Sequence, residues 1–287
     1  MSKHKSGFVN IVGNPNVGKS TIMNALVGEK ISIITSKSQT TRHRIMGIVS
    51  GEDFQIVYSD TPGVIQPNSK LHESMLKYSK SALSDADIIL YITDVVEKID
   101  KNPIFLKHVQ ESEARIILLI NKIDLSDQET VVQLIDKWKE LLPGAIIIPT
   151  SATENFNIDS LFEQIIGFLP ESEAYFPKDQ LTDKSERFFV QEIIREKILT
   201  NYEKEIPYAV EIEVESFKEQ KDIIKIRSVI YVERESQKGI IIGKKGDAIK
   251  KIGITARIDI EAFFEKKVYL ELFVKVSKDW KNKSNNL

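Results

Sequence analysis

Gly13-Asn14-Pro15-Asn16-Val17-Gly18-Lys19-Ser20 fits G-x-x-x-x-G-K-[ST], the pattern of a loop whose backbone N–H groups wrap the phosphates of a nucleotide. Four fixed positions arise by chance, so the flanks decide. Phe8 to Val12 reads as a buried strand before the loop, and Ser20 to Val27 as a helix after it, ended by Gly28. In that setting Lys19 would place its ammonium between the terminal phosphates, and Ser20 would give its hydroxyl to Mg2+. Gly13, Asn14, Asn16, Val17, Gly18 and Thr21 complete the expected nucleotide-binding loop.

Outward from this loop, strand and helix patterns alternate from Gly7 to about Pro170. Ile45 to Val49 and Phe54 to Tyr58 flank Ser50-Gly51-Glu52-Asp53 and read as a hairpin. The runs Ile88 to Ile92, Ile116 to Ile120 and Ala145 to Ile148 are continuously apolar, as strands covered on both faces are. Between them Val131, Val132, Leu134, Ile135, Trp138, Leu141 and Leu142 put an apolar stripe on a helix, read as core. The expectation for residues 1–170 is an α/β fold, a doubly wound, mostly parallel sheet of P-loop type with its functional loops at the carboxyl ends of the strands.

Three of those ends carry chemistry. Asp60-Thr61-Pro62-Gly63 follows the hairpin, where Asp60 is a candidate metal holder and the Gly63 N–H a sensor of the γ-phosphate. Asn121-Lys122-Ile123-Asp124 follows Ile116 to Ile120. Guanine presents N1–H and an N2 amine side by side, and the Asp124 carboxylate can accept both. Adenine would leave that carboxylate unpaired, a discrimination on the order of 10⁴. Asn121 would bridge base and phosphate loop, Lys122 would lie along the ring, and Ser151-Ala152-Thr153 would bring a backbone N–H to the guanine O6. The nucleotide is therefore read as GTP or GDP.

The polar segment Thr35 to Arg44 reads as a switch loop, too irregular to be core, in which Thr40 or Thr41 completes the Mg2+ shell. Enzymes of this type often orient the attacking water with a Gln immediately after D-x-x-G. Here that place is Val64, with Gln66 beyond it, so slow intrinsic hydrolysis is expected. Asn16 is a candidate ligand for a monovalent cation, potassium, that would supply part of the missing charge.

Residues 171–186 turn polar and carry Pro177, the pattern of a linker. In residues 187–287 the order changes to a helix, two alternating strand patterns suited to an antiparallel sheet with one wet face, a short helix, Gly243-Lys244-Lys245-Gly246, a longer helix and a last strand. Two glycines let a nucleic-acid strand approach the backbone, and lysines meet its phosphates. Ile242, Gly243, Lys244, Lys245, Gly246 and Lys250 are the candidate RNA contacts. Lys275, Lys278, Lys281 and Lys283 read as a solvated tail.

The 287 residues carry a net charge of −2, so RNA must be held by a local basic patch rather than by the overall field. With no cysteine, disulfides and thiolate zinc sites are excluded. The start, Met1 to Gly7, has no apolar run after its lysines, and no stretch approaches about 18 uninterrupted apolar residues. A soluble, unexported protein is expected. His4, His43, His72 and His108 show no metal spacing, and only His43 lies in the switch.

Together, G-N-P-N-V-G-K-S, Q-T-T-R-H-R, D-T-P-G, N-K-I-D, S-A-T and I-I-G-K-K-G resemble the Era family of bacterial GTPases, from Gly7 to about Trp280. The resemblance implies a GTP-hydrolysing domain followed by a smaller α+β KH domain of type II. It implies an RNA-binding GTPase that binds the 3′ end of small-subunit (16S) ribosomal RNA and assists small-subunit assembly. It also implies a place in the cytoplasm and peripherally at the inner membrane; a monomer is expected. Aligning the T-R of related GTPases favours Thr41 over Thr40 as metal ligand, giving Ser20, Thr41 and Asp60 as the metal set and Lys19, Thr41 and Gly63 as the catalytic set. Two other readings stay open: an RNA-binding module with a structural nucleotide site, and a membrane-linked signalling GTPase.

Overall fold

The computed structural model describes residues 4–37, 39–64, 70–99, 102–278 and 280. Of the positions read above, Met1 to Lys3, Ser38, Gln66, Lys281 and Lys283 lie outside the described residues. The chain divides into two units, Met1–Asp183 and Lys184–Leu287.

In the first unit β1 (Lys5–Gly13), α1 (Lys19–Val27), β2 (Ile45–Ser50), β3 (Phe54–Asp60), α2 (Lys70–Ser84), β4 (Ile88–Asp94), α3 (Pro103–Gln110), β5 (Arg115–Asn121), α4 (Gln128–Leu141), β6 (Ile146–Pro149) and α5 (Ile158–Phe168) follow one another. The sheet order is β2-β3-β1-β4-β5-β6. Only β2 runs antiparallel to its neighbour. β4 is buried along its whole length, which is why its sequence is apolar without alternation. The strand order reverses beside β1, so the loops after β1 and β3 open at one end of the sheet, where ligands of such folds bind.

The stripe on α4 is only partly core. Trp138 is buried and meets Tyr91 edge-on at 5.7 Å, whereas Val132 is 49% exposed. Val132 stands about 100° around the helix from Val131, off the line through Leu134, Ile135, Trp138 and Leu142.

The stretch expected as a linker is mostly fixed to the first unit. Residue 171 bridges Lys5, and Ser172 N donates to His4 O at 3.1 Å. The buried Gln55 accepts at Oε1 from the N–H groups of Tyr175 and Phe176, at 2.8 and 2.9 Å, and donates to Phe176 O. Ile48 N donates to Leu181 O at 2.8 Å, and Thr182 Oγ1 donates to Met46 O at 2.7 Å. The stretch thus caps the open edge of β2, whose backbone groups would otherwise face solvent. Its lack of periodicity is that of an extended strap.

The second unit contains α6 (Glu186–Asn201), β7 (Val210–Glu219), β8 (Ile223–Val232), α7 (Glu235–Ile242), α8 (Asp247–Phe264) and β9 (Lys267–Val276). β7 and β8 pair antiparallel with a shift between Val214 and Ser216, but β9 joins β8 in parallel. The sheet is therefore mixed, because α7 and α8 carry the chain back across it before β9. Ile194, Ile198, Ile230, Ile252 and Ile260 are among its core residues. Ser185 caps α6 by accepting from Phe188 N.

Candidate functional site

The phosphate loop is shaped by glycines at which a side chain would force its neighbours to move. Gly18 has φ +100°, and a Cβ there would lie 2.2 Å from Asn121 Nδ2. A Cβ on Gly13 would lie 2.2 Å from Ile92 O. Lys19 is buried and its Nζ donates to Asn14 O at 2.8 Å. Asn16 is exposed with φ +69°, and its carbonyl accepts from Lys122 Nζ at 2.6 Å. Lys19, Ser20, Thr21, Thr41, Gly63 and Lys122 are among the residues lining a cleft of about 350 Å³.

Three oxygens converge beside Lys19. Ser20 Oγ donates to Asp60 Oδ2 at 2.7 Å and lies 3.0 Å from Thr41 Oγ1, which is itself 3.2 Å from Asp60 Oδ2. Asp60 is fully buried, and its Oδ1 has no hydrogen-bond partner among the described residues. Burial raises its pKa, against the pull of the Lys19 ammonium and the Ser20, Ser32 and Thr41 hydroxyls, of which the Ser32 hydroxyl forms no well-aligned hydrogen bond to it. Two hydroxyls and a carboxylate with an unsatisfied buried oxygen fit a small hard cation. Thr40 lines the same cleft, but its hydroxyl is engaged elsewhere, donating to Lys37 O at 2.6 Å.

The segment carrying these threonines is more buried than its polarity suggested. Thr41 is 7% and Arg42 2% exposed, which corrects the expectation that none of it is core. Arg44 is fixed as well, to Ser59 Oγ at 2.5 Å, Asp85 Oδ1 at 3.0 Å and Asn10 Oδ1 at 3.1 Å. Polar groups can be buried here because hydrogen bonds hold them.

After Asp60, the Thr61 hydroxyl donates to Ile11 O at 2.7 Å, and Val64 N donates to Gly13 O at 3.3 Å. A Cβ on Gly63 would fall 2.8 Å from Pro15 Cα, so glycine is needed for contact with the phosphate loop itself. The Val64 side chain is buried in the cluster that contains Val12, Ile89 and Tyr91.

Asn121 ties three loops together. Its Nδ2 donates to Val17 O at 2.9 Å, and its Oδ1 accepts from Ala152 N at 3.2 Å. Asp124, Ser151 and Ala152 do not line the cleft around Lys19; they join it through Asn121. Ser151 Oγ donates to Asp124 Oδ1 at 2.6 Å. Lys122 takes a left-handed φ of +61° and pairs with Asp94 Oδ2 at 2.5 Å. Asp94 escaped the sequence reading, although it ends the apolar run at the carboxyl end of β4.

In the second unit Gly243 (φ +72°), Lys245 (φ +53°) and Gly246 (φ +84°) form the turn between α7 and α8. A Cβ on Gly243 would lie 2.5 Å from Ala248 Cβ. Lys244, Lys245 and Lys250 are exposed, and Ile242 is half-buried. Tyr202 Oη donates to Ile241 O at 2.8 Å and pins the end of α7. Beside the turn, Ile249, Lys250, Gly253, Ile254, Arg257, Leu270 and Leu272 line a groove of about 290 Å³. Gly253, Ile254 and Arg257 were missed by the sequence reading; their spacing of three, four and seven from Lys250 along α8 was the available signal.

Residues 8–122 match the model of a family described as 50S ribosome-binding GTPase, and residues 205–281 match that of the KH domain. "GTPase Era" of Alkaliphilus metalliredigens is 46% identical over 99% of this chain and 97% of its own length. "GTPase Era" of Staphylococcus epidermidis is 44% identical over 99% and 96%. A crystal structure of Era in complex with MgGDPNP and nucleotides 1506–1542 of 16S ribosomal RNA superposes with TM-score 0.93 at 38% identity, covering 98% of this chain and 96% of that one. A tyrosine-to-alanine variant of Aquifex aeolicus Era bound to GDP and AlF4− superposes with TM-score 0.92 at 38% identity and the same coverage.

Proposed function

Since the chain belongs to the Era family of GTPases, we propose that it is a slow GTP-hydrolysing switch whose nucleotide state controls binding of the 3′ end of 16S ribosomal RNA by its KH unit, during assembly of the small ribosomal subunit. The observation that carries this reading is Asn121, hydrogen-bonded at once to the phosphate loop and to the loop of Ala152.

Asp124, steadied by Ser151, accepts from the N1–H and N2 amine of guanine. Asn121 keeps that acceptor in register with the phosphate loop, so base identity and phosphate position are read together. Lys19 neutralises the terminal phosphates, and the Gly63 N–H donates to the γ-phosphate. Ser20, Thr41 and Asp60 would hold Mg2+, which when bound neutralises charge developing on the β- and γ-phosphate oxygens. Loss of the γ-phosphate removes the partner of Gly63 and frees the Thr41 segment, the change that reaches the RNA-binding unit. Val64, turned into the core, offers no polar group to the attacking water. Hydrolysis is accordingly slow, and Asn16 is proposed as a ligand for potassium that supplements the Lys19 charge.

RNA approaches the backbone at Gly243 and Gly246, its phosphates meet Lys244, Lys245 and Lys250, and its bases lie on Ile249, Ile254, Leu270 and Leu272. The protein acts as a monomer in the cytoplasm, with peripheral membrane contact at most. Among the described residues no helix is long and apolar enough to cross a membrane.

Charge reversal of Lys244 and Lys245 to Asp tests the reading. Binding of a 16S 3′-end oligonucleotide should fall by a factor of about 100 or more while GTP binding is unchanged. Unaltered RNA binding would favour a protein or lipid partner for this unit. Turnover should also be faster in potassium than in sodium buffer; equal rates would remove Asn16 from the account.

A further inference from the structure

The loop after β4 carries a carboxylate that none of the motifs above uses. Asp94 Oδ1 accepts from the N–H groups of Val96 and Glu97, at 2.9 and 2.8 Å, which curls this loop toward the nucleotide cleft. Glu97 then bonds in two directions. Its Oε1 accepts from Thr93 Oγ1 at 2.8 Å, and its Oε2 accepts from Asn14 Nδ2 at 2.9 Å. Asn14 is 6% exposed, and its own carbonyl accepts from Lys19 Nζ at 2.8 Å. Hydrogen bonds therefore run from Thr93 through Glu97 and Asn14 to the ammonium that the GTP reading sets against the phosphates.

From this geometry we infer that Glu97 is a positioning residue for nucleotide binding, acting through the Asn14 side chain to fix the carbonyl against which Lys19 is held. The inference rests on the reading of this cleft as the GTP site. Asn14 is the second residue of a loop whose conformation depends on two glycines, so little in its own backbone keeps it in place. Its amide is bonded to a carboxylate, a charge-assisted bond roughly twice as strong as one between neutral groups. Without Glu97 the amide would be buried and unpaired, and relief by a shift of the Asn14 backbone would carry its carbonyl, and the Lys19 ammonium, away from the phosphates. A displacement of an ångström or less at such a contact is felt in binding and rate.

The test is the rate at which the full-length protein releases a fluorescent, non-hydrolysable GTP analogue carrying a methylanthraniloyl group, in stopped flow. Glu97→Ala should release it roughly ten-fold faster than the parent protein. Glu97→Gln should stay within about three-fold, because its amide oxygen can still accept from Asn14 and its amide NH2 can donate to the Thr93 hydroxyl. Asn14→Ala combined with Glu97→Ala should be no faster than Asn14→Ala alone, since both remove one link. Release from Glu97→Ala at the parent rate, or multiplying effects in the double variant, would overturn the inference. If Glu97→Ala does not fold, Glu97→Asp, whose carboxylate is withdrawn by one methylene, should show the faster release, and a parent-like rate overturns it equally. Failure of the parent protein to bind the analogue at all would instead bring down the GTP reading of the cleft, and this inference with it.

Discussion

Gly18 is the point at which the loop from Gly13 to Ser20 meets Asn121. The pattern G-x-x-x-x-G-K-[ST] marks it as a loop glycine, but the reason it cannot change lies about 100 residues downstream, in Asn121 Nδ2. Gly18→Ala combines a strained left-handed backbone with a 2.2 Å approach that forces the Asn121 side chain to move, and should weaken GTP binding at least ten-fold by titration calorimetry. Parent-like affinity would show that Asn121 moves aside freely. Asp60 makes the opposite point: a buried carboxylate with one unsatisfied oxygen is an energetic burden kept for chemistry. Asp60→Asn should leave the melting temperature of the nucleotide-free protein unchanged or raised while magnesium-dependent hydrolysis falls about 100-fold or more. A large loss of stability with hydrolysis intact would refute that assignment. The residues of the nucleotide motifs were legible because each motif is contiguous and sits at a strand end. Arg42, Asp94 and Glu97 were not, because their burial and pairing depend on segments distant in sequence.

Among elements, the strap over β2 is the clearest departure from the reading of composition. A polar, aperiodic stretch that follows Pro170 and carries Pro177 looks like a linker. Nothing in its composition reveals that Gln55, on another strand, holds Tyr175 and Phe176 by three hydrogen bonds. Thr182→Val, which removes the bond to Met46 O while keeping the shape of the side chain, should lower the stability of the first unit by about 1 kcal/mol in urea unfolding. No change would mean that the strap contributes little at that edge. The strands of the first unit were readable because burial on both faces leaves unbroken apolar runs. The parallel direction of β9 was not, since a strand's own alternation is the same in either direction and only the path through α7 and α8 decides it. The end of α7 depends on Tyr202, so Tyr202→Phe should weaken binding of RNA several-fold without affecting GTP.

For the molecule as a whole, the two units carry different sequence signatures, one of buried parallel strands and one of alternating strands around a G-x-x-G turn. That contrast made the division legible, while its position at Asp183 and Lys184 depended on the strap. An overall charge of −2 means that RNA must be held by a local basic patch rather than by the overall field. The central claim is that the nucleotide held between Gly13 and Ser20 controls RNA engagement by the second unit. It is tested most directly by the affinity of the full-length protein for a 16S 3′-end oligonucleotide, measured with saturating GDP and with a non-hydrolysable GTP analogue. The account predicts binding about ten-fold tighter with the GTP analogue, a coupling of about 1.4 kcal/mol. Equal affinities in the two nucleotide states would contradict it.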